Sequence, residues 1–449
     1  MRKNLLTALL ALAASGNALA QTDNGYTVLP SPADDEAITY TISPNGRYVG
    51  GYTLINNQAY MYDTQTKEYK LFGEASESNF NDMRSISNEG KGTCILDTGS
   101  DWFGTVYSFK GDAAVEYGSG TLPKGISVDG GIVVGAKMND DGQSWSACYW
   151  DGTTQVLLPE PTSKWSGWQS TDPDDPETIF GSSADFISED STIIAGWLID
   201  NMATYPAVVW RQNRDGKTYS VDFISRKYFD SLGDGTSGEY AMFNTSGMSP
   251  NGKWLALTLG KIGEDGWAVN YGFGRYNLDT DELETYMFGD DVQEAFAAVI
   301  ANDGTMVGAT GGRDAEQGVI WKAGEDAAVA LAEKFPGVPQ FAEFDLIGGH
   351  KPCAISSDGR YIVGYGYYDR SASATDSDSD AVLAGYESYI FDTQAKGALS
   401  AVESAPVANK KSNKVIAHFD LSGKRVSGNV NGINIYKMAS GRAVKALAK

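Results

Sequence analysis

Histidine and cysteine are scarce in this 449-residue sequence, which excludes most histidine- and thiol-based chemistry. The two histidines are His350 and His418, and the second belongs to the C-terminal tail, so Ser-His-Asp or Cys-His catalysis would depend on His350 alone. The three cysteines, Cys94, Cys148 and Cys353, are an odd number on distant apolar segments, which favours buried free thiols over a disulfide framework. No zinc-ligand spacing and no phosphate-cradling loop is present, and we predict no catalytic residue.

Basic residues are also few relative to acidic ones. Lysine and arginine number 35 against 58 acidic residues, a formal net charge of -23 that repels phosphate backbones, so we predict no nucleic-acid partner. Only 14 prolines accompany 52 glycines, and aromatic residues make up 11% of the chain. This composition is typical of an all-β protein with many turns, and it is too aromatic for a disordered chain.

The apolar run at the N-terminus, Leu5 to Ala14, is too short to span a bilayer, and we predict no transmembrane segment. Two basic residues precede the run, and the small-residue pattern Ala18-Leu19-Ala20 follows it. This order predicts a signal peptide over residues 1–20 that is cleaved before Gln21. We therefore expect a secreted protein or one on the outer cell surface.

A five-residue pattern recurs along most of the chain. It consists of an apolar residue, Ser or Ala, any residue, an acidic or amide residue, and Gly, with Ser in place of Gly in one copy. The seven copies begin at Ile42, Ile86, Ile126, Ile187, Met248, Ile300 and Ile355, at intervals of 44, 40, 61, 61, 52 and 55 residues. A unit of about 40 residues with four strands is the size of one propeller blade.

The residues around each copy predict four strands. An Asn-Gly or Asp-Gly corner suits a tight hairpin, and the apolar run after it suits a strand buried on both faces. A third segment carries a recurring aromatic residue, interpreted as a packing wedge, and a polar corner leads to a fourth. We predict an all-β fold, a seven-bladed β-propeller of four-stranded antiparallel blades over residues 21–397 followed by a small C-terminal β domain.

The repeated corner resembles the Ser-Pro-Asp-Gly repeats of TolB-like propellers and of secreted repeat proteins with similar corners. Copies such as "ISPNG" from Ile42 and "ISSDG" from Ile355 carry the resemblance. The chain lacks the Gly-His and Trp-Asp pairs of the WD repeat, and it lacks the Thr-Trp of the sialidase Asp-box. The resemblance implies a fold that hosts both binding proteins and enzymes.

Ring closure is predicted at the N-terminus. The segment "GYTVLPS" has no blade of its own, whereas the seventh blade has a weak fourth strand. We predict that Tyr26 to Leu29 supplies this outer strand and pairs antiparallel with Ser388 to Phe391.

The tail has a different composition. Residues 398–414 are rich in Ala, Ser and Lys, a composition that predicts a linker. Residues 415–449 form a predicted β domain. The domain resembles the C-terminal sorting domain of the type IX (Por) secretion system of Bacteroidetes, which implies export through that machinery followed by cleavage or surface attachment. The alternative is a small β domain with no sorting role. The matching residues are Phe419, Asp420, Leu421, Gly423, Lys424, Arg425, Val426, Gly432, Ile433, Tyr436, Gly441 and Lys445.

One candidate ligand site lies in the loop that joins the third and fourth blades. Trp165 and Trp168 stand there beside Asp172, Asp174 and Asp175. Two tryptophans in a polar loop can stack on sugar rings while carboxylates bond the hydroxyls. The alternative is that the tryptophans fold back over the propeller as a lid.

Calcium is the one cofactor that the sequence makes possible. Asp376, Asp378 and Asp380 alternate, and Glu387 stands at the twelfth position of the same loop, which is the oxygen-ligand spacing of a calcium loop. Ala381 occupies the sixth position, where the sharp turn requires Gly. The alternative is a solvated hairpin insertion.

Three functions are compatible with these features. The first is a non-enzymatic surface or secreted module that binds an extracellular protein or glycan through its loop face. The second is a carboxylate-dependent glycan hydrolase or lyase, which requires acids with raised pKa values converging at one mouth of the ring. The third is an envelope-assembly or structural component.

Overall fold

A computed structural model of the chain divides into two compact units, residues 1–399 and 400–449. The residues that the structure describes are 24–32, 35–75, 81–97, 101–111, 115–142, 144–160, 179–200, 207–222, 224, 240–263, 268–289, 292, 294–312, 315–347, 349–369, 384–399, 415–419, 432–438 and 443–448.

The described strands of the first unit form antiparallel groups of four, which we number along the chain. Group 7 includes the first strand, β1 (Tyr26–Val28). Group 1 is β2 (Ala37–Ile42), β3 (Tyr48–Thr53), β4 (Ala59–Asp63) and β5 (Glu68–Phe72). Group 2 is β6 (Asn81–Ile86), β7 (Lys91–Asp97), β8 (Trp102–Ser108) and β9 (Val115–Ser119). Group 3 is β10 (Thr121–Ile126), β11 (Ile132–Met138), β12 (Trp145–Asp151) and β13 (Thr154–Leu157).

The remaining groups follow the same order. Group 4 is β14 (Ile179–Ile187), β15 (Ile193–Asp200), β16 (Ala207–Gln212) and β17 (Tyr219–Asp222). Group 5 is β18 (Tyr240–Met248), β19 (Trp254–Ile262), β20 (Ala268–Asn277) and β21 (Glu282–Met287). Group 6 is β22 (Glu294–Ile300), β23 (Met306–Gly312), β24 (Ala315–Trp321) and β25 (Val329–Ala330). Group 7 is β26 (His350–Ile355), β27 (Tyr361–Asp369), β28 (Ala384–Asp392) and β1.

These groups confirm the predicted all-β class and its four-stranded antiparallel sheets, and they are consistent with a propeller. Groups 3 and 4 are joined into one larger sheet by a single parallel pair, Trp145 with Gly181.

Each repeated pattern forms the corner between the first and second strands of a group. In the first corner the buried Ser43 hydroxyl donates to Asn45 Oδ1 at 2.8 Å and accepts the backbone N–H of Tyr48 at 2.9 Å. The serines of the third, fourth, fifth and seventh corners make the same pair of bonds. The fourth corner lacks glycine, and Ser191 there adopts a left-handed φ of 58°. The hydroxyl thus bonds polar groups of the corner that backbone hydrogen bonds alone would leave without a partner.

Hydrogen bonds also connect one corner to the next. Asn45 N–H donates to Asn88 Oδ1 at 2.8 Å, and Ser357 N–H of the seventh corner donates to Pro44 O of the first at 2.8 Å. Equivalent bonds join the second corner to the third, the fourth to the fifth, the fifth to the sixth and the sixth to the seventh. Group 7 therefore lies against group 1.

The predicted closing strand is confirmed. β1 pairs antiparallel with β28, with Tyr26 opposite Phe391 and Val28 opposite Tyr389, and Leu29 N–H donates to Ser388 O at 2.8 Å. An N-terminal strand thereby completes the last group of the chain.

The aromatic residue that recurs in the third strand is buried in most groups, as the wedge interpretation requires. These residues pack within and between groups, and the most enclosed are Tyr62, Trp150, Trp210, Tyr276, Trp321 and Phe391.

Two short helices between groups 6 and 7 depart from the pure β pattern. They are α1 (Leu331–Lys334) and α2 (Pro339–Ile347). Phe341 and Phe344 of α2 are buried, and the Phe341 ring lies 5.8 Å from Tyr26 and 5.1 Å from Phe391. α2 therefore covers the closing strand. Neither described helix has the length or apolar character to cross a membrane.

The second unit contains a three-stranded antiparallel sheet of β29 (Val415–Phe419), β30 (Gly432–Met438) and β31 (Ala443–Ala448), with β30 in the centre.

Deleting residues 21–31 should lower the melting temperature by about 10 °C, because the deletion removes buried Tyr26 and the β1–β28 bonds. Deleting residues 403–449, which belong to the separate second unit, should leave it nearly unchanged. Differential scanning calorimetry of the two truncated chains measures both values. Equal losses would show that β1 does not stabilise the first unit in this way.

Replacing Ser356 with Ala should cost about 1–3 kcal/mol of unfolding free energy, because the Tyr361 N–H loses its acceptor. The sixth corner carries Ala301 at the same position, so Ala301→Ser is the matched control and should be neutral or stabilising. Urea denaturation measures the unfolding free energy of both variants. A cost for Ala301→Ser equal to that for Ser356→Ala would contradict a stabilising role of the hydroxyl.

Candidate functional site

Every first strand carries a β-bulge at the same place, two residues before the repeated pattern begins. In group 1 Thr39 pairs with Gly51 and Thr41 with Gly50, which leaves Tyr40 as the extra residue. A β-bulge changes the direction of the side chain of the extra residue. These bulge residues are Tyr40, Arg84, Lys124, Asp185, Ser246, Ala298 and Cys353.

Glycine in the second strand makes room for the bulge in four groups. A Cβ on Gly51 would lie 1.8 Å from the carbonyl oxygen of Ile38, and one on Gly196 would lie 1.8 Å from that of Ser183. Gly135 and Gly364 show the same close approach. These glycines were visible in the sequence, but the close approach that requires them was not.

The seven first strands line one cavity of about 310 Å³, which we call the first-strand cavity. Bulge residues Tyr40, Arg84, Lys124, Asp185 and Cys353 are part of its wall. At the corner end the wall consists of the apolar residues that begin the repeated pattern: Ile42, Ile86, Ile126, Ile187, Met248, Ile300 and Ile355. The cavity is thus apolar toward the corners and polar at the level of the bulges.

Two ion pairs hold the charged bulge residues. Arg84 Nε lies 2.5 Å from Asp82 Oδ2, and Lys124 Nζ lies 3.1 Å from Asp185. Trp197 Nε1 donates to Asp185 at 2.9 Å. Burial raises the pKa of the Asp82 carboxyl to about 6, although the Arg84 charge opposes the shift.

A second cavity, of about 300 Å³, lies between groups 6 and 7, and we call it the tyrosine pocket. Lys351 Nζ forms a 2.7 Å ion pair with Glu316 across the two groups and lies 5.5 Å from the Phe296 ring. The Tyr386 ring is 5.9 Å from Tyr365 and 5.3 Å from Tyr367. The lining residues are Glu316, Ile347, Gly349, Lys351, Tyr365, Tyr367 and Tyr386.

Tyr52 lies near residues that line each of the two cavities. Its ring is 5.9 Å from Tyr40. Burial raises the pKa of the Tyr52 hydroxyl, and of the smaller electrostatic contributions that of Tyr386 raises it while those of Arg84 and Lys351 lower it. The bulge residues and the tyrosine pocket therefore share one end of the first unit. Because the corners lie at the other end, this is the end that carries the second-to-third-strand loops and the connections between groups.

Most of the sequence-predicted site residues lie outside the described residues. This applies to Trp165, Trp168, Asp172, Asp174 and Asp175 of the first loop, whose flanking strands β13 and β14 meet it at the end opposite the corners.

The predicted calcium ligands Asp376, Asp378 and Asp380 also lie outside the described residues. Glu387 is described, and its Oε1 accepts a hydrogen bond from the Tyr26 hydroxyl at 2.8 Å. Within the part of the chain that the structure describes, no three acidic, histidine or cysteine side chains gather in a group that could hold a metal ion.

His350 is buried in the core between α2 and group 7. Its Nδ1 lies 2.8 Å from Asp345 Oδ1, its Nε2 lies 3.0 Å from the Tyr389 hydroxyl, and its ring stacks on Phe341 at 5.1 Å. The ring thus joins the helix to the sheet, in keeping with a structural histidine.

The three thiols are free. Cys94 and Cys148 are buried, as predicted, whereas Cys353 is half-buried in the wall of the first-strand cavity. Burial raises the pKa of the Cys148 and Cys353 thiols to about 12, which leaves them protonated and unreactive at neutral pH.

The chain matches no protein-family model and no curated protein sequence. Solved structures with similar architecture include TolB from Acinetobacter baumannii, with 12% identity, a TM-score of 0.40 and coverage of 64% of this chain and 60% of TolB. An oligogalacturonate lyase from Vibrio parahaemolyticus has 11% identity, a TM-score of 0.47 and coverage of 82% and 93%. Prolyl oligopeptidase B from Galerina marginata has 12% identity, a TM-score of 0.47 and coverage of 91% and 56%. At these values none of the three bears on what this chain does.

Asp82 should make stability depend on pH in an unusual direction. Its folded pKa of about 6 exceeds the unfolded value of about 3.9, so its contribution is complete below about pH 4 and is lost as the pH rises through 6. The Asp82→Asn variant has no titratable carboxyl at this position, so it does not lose stability over this pH range. Between pH 4 and pH 7 the variant should gain about 3 kcal/mol relative to the parent chain, measured by urea denaturation.

Asp63 supplies the control of opposite sign. Burial raises its pKa, but hydrogen bonds from Arg47 and from backbone N–H groups outweigh burial and lower the pKa on balance. Its stabilising contribution is therefore lost as the pH falls, and Asp63→Asn should lose most relative to the parent chain at neutral pH. A difference between Asp82→Asn and the parent chain that stays constant with pH would contradict the assignment for Asp82.

Proposed function

We propose that this chain is a secreted or cell-surface β-propeller of seven blades that binds an extracellular glycan without catalysis. The blades correspond to groups 1–7. The corner bonds between Ser357 and Pro44, and the single cavity lined by all seven first strands, support a ring. A signal peptide over residues 1–20 and a sorting domain over residues 415–449, after a linker at 398–414, are parts of the same proposal. They imply export from the cytoplasm and contact with a secretion machinery.

The tyrosine pocket is the observation that carries the binding function. Tyr386 is 39% exposed and Phe296 is 45% exposed, so two rings present apolar surface to solvent. The Lys351–Glu316 pair beside them supplies a donor and an acceptor for hydroxyl groups. A sugar offers the matching surface, since its C–H faces stack on aromatic rings and its hydroxyls bond charged groups.

The carboxylates favour binding over hydrolysis. Glycoside hydrolysis needs a carboxylic acid and a second carboxylate on either side of the scissile bond. Asp82 has a raised pKa but is paired with Arg84, and Asp185 is held by Lys124 and Trp197. Among the described residues of the two cavities, no pair of unengaged carboxylates faces a common space. A calcium site at Asp376, Asp378, Asp380 and Glu387 stays a prediction.

A glycan array with purified mature protein tests the proposal. We expect a defined set of glycans to bind, and we expect Tyr386→Ala to weaken binding at least about 10-fold, since an aromatic contact and its buried area contribute more than about 1.4 kcal/mol. Trp102 is the matched control, because it is 47% exposed on β8, near the same end of group 2.

Two outcomes would refute the proposal. One is the absence of glycan binding together with copurification of envelope proteins, which would indicate an assembly component. The other is an equal effect of Trp102→Ala and Tyr386→Ala, which would place the ligand elsewhere.

A further inference from the structure

Two basic bulge residues stand side by side in an acidic protein. Arg84 of group 2 and Lys124 of group 3 occupy equivalent places in successive first strands, and both line the first-strand cavity. The chain as a whole carries a net charge of -23, so paired cations at equivalent positions run against its composition. Neither residue belongs to the tyrosine pocket.

Both cations are held in place by partners that leave donors available. Asp82, with a side chain only 3% exposed, meets Arg84 at Nε, while the Arg84 side chain is 45% exposed. A guanidinium has five N–H donors, so its terminal nitrogens are available to an acceptor in the cavity. Asp185 bonds Ser183 at 2.5 Å and Trp197 at 2.9 Å besides Lys124, and it therefore positions the ammonium group.

Tyr40 adds a third donor from group 1. Its hydroxyl is buried and has no hydrogen-bond partner among the described groups, although the residue lines the same cavity. A buried hydroxyl without a hydrogen-bond partner is destabilising, and an acceptor in the cavity would supply the missing bond. Because Tyr40, Arg84 and Lys124 come from three successive groups, their donors lie along one part of the cavity wall.

We propose that the first-strand cavity is a binding site for a small hydroxycarboxylate, distinct from the tyrosine pocket. The carboxylate lies between Arg84 and Lys124, because a guanidinium matches the two oxygens of a carboxylate. A ligand hydroxyl accepts from Tyr40. The volume of about 310 Å³ corresponds to roughly ten water molecules, enough for one sugar acid. The apolar ring at the corner end limits how far the ligand enters.

Calorimetric titration of the full chain with glucuronate, glucose and inorganic phosphate tests the site. Glucose shares the ring of glucuronate but lacks the carboxylate, and phosphate lacks the ring. We expect glucuronate to bind at least about 10-fold more tightly than glucose and at least about 10-fold more tightly than phosphate. Equal affinities for glucuronate and glucose, equal affinities for glucuronate and phosphate, or no binding of glucuronate would overturn the proposal.

Variants locate the site and separate it from the tyrosine pocket. Lys124→Met should weaken glucuronate about 10-fold, since one charge-assisted hydrogen bond is worth roughly 1.5 kcal/mol, and Tyr40→Phe should weaken it several-fold. The double variant Asp82→Asn with Arg84→Gln removes the guanidinium without leaving a buried charge unpaired. Tyr386→Ala should leave glucuronate affinity unchanged. Full affinity in both the double variant and Lys124→Met, measured on folded protein by circular dichroism, would overturn the assignment.

Discussion

The hydrogen bonding of the corner serine, which every corner except the sixth contains, is the interaction on which the rest of the first unit depends. The serine hydroxyl accepts a backbone N–H across the hairpin between two strands, and it donates to the acidic or amide side chain two residues further on. The backbone of that stretch is then free to bond the neighbouring corner, as Ser357 does with Pro44. Local turn chemistry and the order of the groups are therefore linked through the same few atoms. A buried polar group whose bonds are all made specifies one arrangement.

The position of the bulges follows from these corners. Because each first strand ends at a corner of constant geometry, the extra residue falls at the same height in every group. Glycines such as Gly51 and Gly196 let the neighbouring carbonyl approach at that height. The architecture thus repeats, while the side chains at the bulges differ from one group to the next. Variation of chemistry on a repeated backbone is how a regular fold acquires a specific site.

Closure combines a strand, a helix and a histidine. β1 completes group 7, α2 covers it through Phe341, and His350 joins Asp345 of the helix to Tyr389 of the sheet. The structure thereby uses the scarce histidine for packing. The face that carries both cavities borders on this region, because Lys351 follows His350 directly and Glu387 bonds Tyr26. Rigidity at the closure consequently supports the geometry of the tyrosine pocket.

The sequence by itself determined the strand class, the seven corners and the closing strand. All three depend on local signals, namely turn residues with left-handed φ, apolar runs and an unpaired segment, which act over a few residues and repeat. It did not indicate the bulge residues or the tyrosine pocket. Tyr40, Arg84 and Lys124 stand at the same distance from the repeated pattern but share no residue type that marks them as a site. Glu316 meets Lys351 only because groups 6 and 7 are neighbours. Such sites arise from contacts between distant segments, and only the tertiary structure brings those segments together.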